Sequence, residues 1–238
     1  TAAALDAWAW TACGWLSRAE PIGQQMLDTL YTCLIQDARL GMQAAHALRV
    51  LTLHSRLVSP SRGFVVRRLY RQRTMETMLV AVTEALEGRC AAREPCLVAM
   101  ATLLPGATDA LVSMHLTTWL PLLVHTLGMD DAPVRLTCAR TLQRIVSSEH
   151  AAALAEHLPL LVPRLLDAAA TPQAPRLRVA ALQALQALTD AVPAAHLDAY
   201  RRQVVQALGR PHRGVDDAVR AVRTAAVDCR AAWYATQE

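Results

Sequence analysis

The sequence predicts an all-α chain, an α-α superhelix built from about five helical hairpins preceded by one unpaired helix. Three observations carry this. The chain of 238 residues is 53% hydrophobic, with nine Gly and few aromatic residues, a balance that favours helices over strands. One stretch, "LRVAALQALQAL" from Leu177 to Leu188, carries a single charge, Arg178, and amides only at Gln183 and Gln186. A helix on one ordinary core needs one apolar stripe, so this one either spans a membrane or is clamped between neighbours on two sides. The third observation is that the chain repeats itself.

Three segments share a spacing: an apolar residue and Arg, a small residue three places on, and a bulky apolar residue seven further. The copies are Val134, Arg135, Cys138 and Ile145; Leu177, Arg178, Ala181 and Leu188; and Val222, Arg223, Ala226 and Trp233. The arginines lie 43 and 45 residues apart, the spacing of HEAT units. A second echo precedes the first two copies, "WLPLLV" from Trp119 and "HLPLLV" from His157. A two-helix unit cannot bury its apolar face alone, so each stacks on the next and the core runs along the array. The small residue lets neighbouring helices approach. The Arg can fork onto carboxylates or carbonyls of an adjacent turn, and Asp130, Asp131, Asp216 and Asp217 are candidate partners.

Punctuation places the helices at about 3–17, 22–35, 40–57, 64–87, 94–104, 108–128, 133–148, 150–169, 175–191, 195–209 and 215–235. The breaks are Glu20-Pro21, Ser59-Pro60, Pro105-Gly106, Pro172 and Pro175, Val192-Pro193, and Gly209 with Pro211. None resembles a long flexible linker, so residues 1–238 are expected to form one domain. The odd helix count and a start at Thr1 without Met predict a fragment of a longer scaffold. The segment from Ala110 to Met129 lacks Asp, Glu and Arg, but its two His, its Ser and its Pro argue for a buried helix rather than a membrane span.

Composition narrows the function. All 24 basic residues are Arg, as a codon-biased genome produces, and the net charge of +4 does not by itself imply nucleic acid. The six cysteines, Cys13, Cys33, Cys90, Cys96, Cys138 and Cys229, contain no C-x-x-C pair and are expected as small core residues in a reducing compartment. Cys90 and Cys96 are six apart, and His46 and His54 eight apart; neither is a metal-ligand spacing. No nucleophile elbow or phosphate-cradling Gly cluster occurs. The reading is a binding protein without catalytic residues, metal or cofactor.

The strongest asymmetry is positive. No acidic residue separates Asp37 from Glu76, while Arg39, Arg49, Arg56, Arg62, Arg67, Arg68, Arg71 and Arg73 fall between them. Three readings of this run stand open: ion pairs with adjacent repeats, an acidic protein partner, or nucleic acid. Trp8 and Trp15, seven apart, share a face that packs on a neighbouring helix or marks an exposed joint, while Trp10 points elsewhere. Trp233 and Tyr234 either cap the core or anchor a partner.

"LRVAALQALQAL", "AYRRQVVQALGRP" (199–211) and "VRTAAVDCRAAWY" (222–234), with "LYRQR" (69–73) and "DAWAW" from Asp6, together resemble the C-terminal domain of one family. This is the HEAT-repeat scaffold (methyl-methanesulfonate-sensitivity, nucleotide-excision-repair protein) of the cytosolic iron-sulfur assembly (CIA) targeting complex. Family members are Lys-rich before the last helix, where this chain has Gly209, Arg210, Pro211, His212 and Arg213. The resemblance implies a non-enzymatic scaffold, cytoplasmic and nuclear. Its partners would be a small adaptor subunit, a WD-repeat propeller subunit, and apo iron-sulfur clients: helicases, polymerases and primase of DNA replication and repair. It also implies that the C-terminal repeats dock the adaptor and that the cluster is carried elsewhere. Helical phase then nominates Tyr200, Arg201, Arg202, Arg210, Arg213 and Arg220 as the adaptor-facing surface, with Arg67, Arg68, Arg71 and Arg73 as a second patch. The alternative is a HEAT module of a nuclear-transport receptor, or of a DNA-associated scaffold that binds phosphates through its Arg stripe.

Overall fold

A computed structural model describes residues 2–37, 39–52, 67–88, 92–146 and 148–236, apart from the side chains of Arg68 and Ser148. Among these residues every regular element is helical, and the fold is of the helical-repeat class. The packing groups them into two compact units, residues 1–108 and residues 109–238.

The first unit holds α1 (Ala2–Ser17), α2 (Pro21–Gln36), α3 (Gly41–Ala47), α4 (Arg68–Glu87) and α5 (Arg93–Leu103). The helix that precedes the first hairpin, α1, packs on both of that hairpin's helices, α2 and α3. Gly23 makes the α1–α2 approach possible: a Cβ there would lie 2.8 Å from the Leu16 backbone nitrogen. Trp8 Nε1 donates to the Met26 carbonyl at 2.9 Å, so this ring seals the same seam while staying partly exposed. In α5 every residue from Cys96 to Leu103 is buried, because α3 and α4 both pack against it.

The third helix stops short of its expected end. After Ala47 the backbone tightens into a 3-10 turn, Leu48–Leu51, and both the amide and the hydroxyl of Thr52 donate to the Arg49 carbonyl. The fourth helix begins at Arg68 rather than at 64. His54, Arg56, the Ser59-Pro60 break, Arg62, Phe64 and Cys90 lie outside the described residues.

The second unit holds α6 (Asp109–Thr126), α7 (Ala132–Ile145), α8 (Ala151–Ala169), α9 (Pro175–Ala191), α10 (Ala194–Leu208) and α11 (Arg220–Ala235). They form three hairpins. In one layer α7, α9 and α11 stack side by side, and in the other α8 packs against both α6 and α10. This answers the question posed by Leu177–Leu188. With α7 on one flank, α11 on the other and α8 beneath, α9 buries Leu177, Ala180, Ala181, Leu182, Ala184, Leu185 and Leu188. Gln183 is exposed and Gln186 half-buried, the strip that meets water.

The repeated spacing is therefore a packing rule. Cys138, Ala181 and Ala226 are each fully buried and are small enough to let adjacent helices close. Ile145, Leu188 and Trp233 fill the far end of each contact, each burial stabilising by about 1.5–3 kcal/mol. Trp233 caps the core, and its Nε1 donates to the Leu185 carbonyl at 2.9 Å; Tyr234 stays exposed, beside Arg230.

Pro121, Pro159 and Pro163 sit inside α6 and α8, all on exposed faces, where water can serve the carbonyl that proline leaves without a donor. No helix among the described residues is long and apolar enough to cross a membrane. Cys13, Cys96, Cys138 and Cys229 are buried and Cys33 is half-buried. The last helix starts at Arg220 rather than 215. Gly214 has φ +54 within a 3-10 turn, and Asp217 then accepts the Val219 amide on its carboxylate at 2.8 Å.

Candidate protein-binding surface

The arginines divide into those used inside the fold and those left on its surface. Arg135 Nη2 reaches Asp167 Oδ2 at 2.7 Å. Arg178 meets the buried Asp217 through Nη2–Oδ1 and Nε–Oδ2, both 3.0 Å, and donates to the Thr171 carbonyl at 3.1 Å. Arg223 donates to the carbonyls of Asp217 and Ala218. Each of the first two motif arginines thus takes an acid that precedes the next copy of the motif. This corrects the expectation for Asp130 and Asp131. Asp131 accepts the Val134 amide at 3.0 Å and caps α7, the standard use of an Asp at a helix start; Asp216 accepts the His212 amide.

Two nominated residues are also committed internally. Arg201 donates through Nε to Thr236 Oγ1 at 3.1 Å and through Nη2 to the Thr236 carbonyl at 3.0 Å, and it pairs with Asp198. It ties α10 to the end of α11. Arg71 donates through Nε and Nη2 to the Leu51 carbonyl at 2.9 and 2.5 Å, joining α4 to the 3-10 turn after α3. Burial pushes the nearby Cys13 thiol up, with Arg71 and Ser17 acting against it.

The others are placed as follows. Tyr200 is half-buried, and Arg202, Arg210, Arg213, Arg220, Arg67 and Arg73 are exposed. Arg67 stands at the start of α4 and its amide donates to the Ser17 carbonyl at 2.8 Å. Arg73 shares a shallow groove with Glu76 and Glu84, so its charge is locally offset. The Arg68 side chain lies outside the described residues. The second patch is thus dispersed. Arg220 borders a groove between α9 and α11 with Gln183, Gln186 and Asp228.

Arg202, Arg210 and Arg213 come together. They line one cleft of about 520 Å³ between the end of α8, the outer face of α10 and the loop before α11. Among the described residues none of the three guanidiniums has an ion-pair or hydrogen-bond partner. Gln203 and Gln206 of α10 share this wall and Asp167 stands opposite, its carboxylate already engaged by Arg135. The loop is held in shape by left-handed residues at His212 and Gly214. A methyl group on Gly214 would overlap the Leu208 carbonyl oxygen, so glycine is required for the loop to fold back onto α10 and bring Arg213 to the cleft.

Sequence reasoning nominated these three arginines and, among the acids, Asp217, but missed the two glutamines and Asp167. The signals were present: Gln206 is four residues after Arg202, on the same helical face, and Asp167 and Asp217 both precede a copy of the repeat. Among the described residues no cluster of three His, Cys, Asp or Glu side chains has the geometry to hold a metal ion.

The sequence matches the family described as RNAPII transcription regulator C-terminal, MMS19_C, over residues 1–189. The chain belongs to this family. The match to MMS19_C ends within α9, so the α8–α10 cleft is formed partly by residues beyond it. No curated protein matches the sequence. A crystal structure of an engineered protein is similar at a TM-score of 0.64 and 14% identity, over 99% of this chain and 90% of that one. That likeness concerns the fold alone. As a member of the MMS19 C-terminal family, the chain is a helical scaffold related to transcription and repair.

Proposed function

We propose that the chain is a non-enzymatic scaffold segment in cytosolic iron-sulfur protein maturation. In this reading it docks the small adaptor subunit of the CIA targeting complex, together with the WD-repeat propeller. It thereby helps deliver clusters to apo clients of DNA replication and repair, in cytoplasm and nucleus. The observation that carries the reading is the MMS19_C match over residues 1–189. It is supported by the C-terminal stretches through Tyr234 that resemble the same scaffold. The cluster is cargo here, held by other subunits.

The adaptor-facing surface is assigned to the last two or three repeats, with Arg202, Arg210, Arg213 and Arg220 exposed there. Tyr200 and Arg201 support it from α10, and Arg67, Arg68, Arg71 and Arg73 form the second candidate patch. The test is capture of the purified adaptor, alone and with the propeller, by the immobilised chain. Retention at physiological salt supports the proposal. No retention, combined with duplex-DNA binding whose affinity falls steeply with salt for any sequence, would replace it with the phosphate-binding alternative.

A further inference from the structure

We infer that the cleft between α8, α10 and the 209–219 loop is a receptor for an acidic peptide segment of a partner protein, its carboxylates held by Arg202, Arg210 and Arg213. The inference rests on the reading of the chain as a protein-binding scaffold and names the chemistry of the bound segment.

The first argument is the contrast among arginines. Arg71, Arg135, Arg178, Arg201 and Arg223 all spend their donors inside the fold. Arg202, Arg210 and Arg213 spend none there, although they converge on one concavity. Three like charges facing one cleft repel one another, and the arrangement is relieved when an anion enters. A guanidinium offers a planar pair of donors that matches a carboxylate. Among the described residues the one acid on the cleft wall, Asp167, is neutralised by Arg135, so the cleft keeps an excess of positive charge.

The second argument concerns what else the wall offers. Gln203 and Gln206 each carry a donor and an acceptor, the pattern that pairs with the amides and carbonyls of an extended peptide. No aromatic side chain lines the cleft among the described residues, whereas single-stranded nucleic acid is held by bases stacked on aromatic rings. The opposite wall and the loop make the site a concavity rather than an open stripe. The geometry therefore favours a short acidic peptide over a nucleic-acid backbone.

The test is fluorescence anisotropy with a fluorescein-labelled nonapeptide of alternating Glu and Asp, titrated with the 238-residue chain at physiological salt. The isosteric Gln/Asn peptide and a single-stranded oligothymidylate serve as comparison probes. Binding of the acidic peptide is expected, with at least tenfold weaker binding of the Gln/Asn peptide. The R202Q/R210Q/R213Q variant should lose at least tenfold in affinity for the acidic peptide. R18Q/R93Q/R140Q, which removes the same charge at exposed positions outside both candidate patches, should lose less than threefold. All six positions are exposed, and an unchanged melting curve confirms that each variant is folded. Equal losses in the two triple variants would reduce the effect to bulk charge and overturn the inference. So would tighter binding of the oligothymidylate lost in the cleft variant, or no binding of the acidic peptide. Adaptor capture that succeeds while the peptide fails would sink the cleft and leave the scaffold role standing; peptide binding without adaptor capture would do the reverse.

Discussion

Arg178 and Asp217 are 39 residues apart in sequence and meet as an ion pair with both side chains nearly buried, 12% and 7% exposed. Asp217 also accepts the Val219 amide, and Arg178 also donates to the Thr171 carbonyl. One pair therefore joins the start of α9, the loop before it and the approach to α11. The preceding step of the array uses the same device, Arg135 with Asp167, but there the acid is 67% exposed.

This difference in exposure sets the first prediction. D217A leaves a buried guanidinium without its carboxylate and should cost about 3–5 kcal/mol. D167A also strips the carboxylate from a buried guanidinium, Arg135 at 10% exposed, but the acid it removes is mostly in water, so the cost should be smaller, about 1–3 kcal/mol. Denaturant unfolding of the two variants measures both, and equal costs would show that burial does not govern these pairs.

Trp233 and Tyr234 are adjacent but belong to different environments. Trp233 is fully buried with its indole donating to Leu185, so W233A should destabilise by about 3–5 kcal/mol, as large truncations in packed cores do. Tyr234 is 47% exposed, and Y234A should stay within about 0.5 kcal/mol of the parent. Thermal melts of the two variants make the comparison.

Gly214 tests the loop. Alanine there must adopt a left-handed backbone and press on Leu208, costing about 1–3 kcal/mol from the backbone alone. Because Arg213 is its neighbour, G214A should also weaken acidic-peptide binding at unchanged net charge. Anisotropy at a temperature where the variant remains folded separates the two effects.

Burial pushes the Cys138 and Cys229 thiols from their ordinary value of 9.0 up to about 12. Below pH 9 both the folded and the unfolded chain keep these thiols neutral, and their contribution to stability is complete. Between pH 9 and 12 the unfolded chain releases the protons while the folded one holds them, so stability is lost as pH rises through that window. The melting temperature should therefore decline above pH 9, and C138A/C229A should show a shallower decline than the parent. A parent curve as flat as the variant's would contradict the assignment.

Much of the architecture was legible in the residues alone. The arginines 43 and 45 residues apart, each followed by a small residue and then a bulky one, announced the stacked hairpins, because the same burial problem recurs at every repeat and is solved with the same residue sizes. Among the described residues, ten of the eleven α-helix starts were legible within about four residues. The last was hidden by Gly214, whose left-handed backbone and the Asp217 turn that follows delay α11 to Arg220.

The sequence by itself determined that the chain is helical, that it repeats, and which small and bulky positions of the repeat pack between hairpins, because periodicity along one helix is a local property. It could not tell Arg178 from Arg202, or Arg71 from Arg73. Only the tertiary structure decided which guanidiniums are consumed by Asp167, Asp217, Thr236 and Leu51, and which three are left facing one cleft. The reason is geometric: a guanidinium finds its partner across a packed helix or a folded loop, at sequence distances of 20 to 39 residues, and that choice exists only once the helices have stacked.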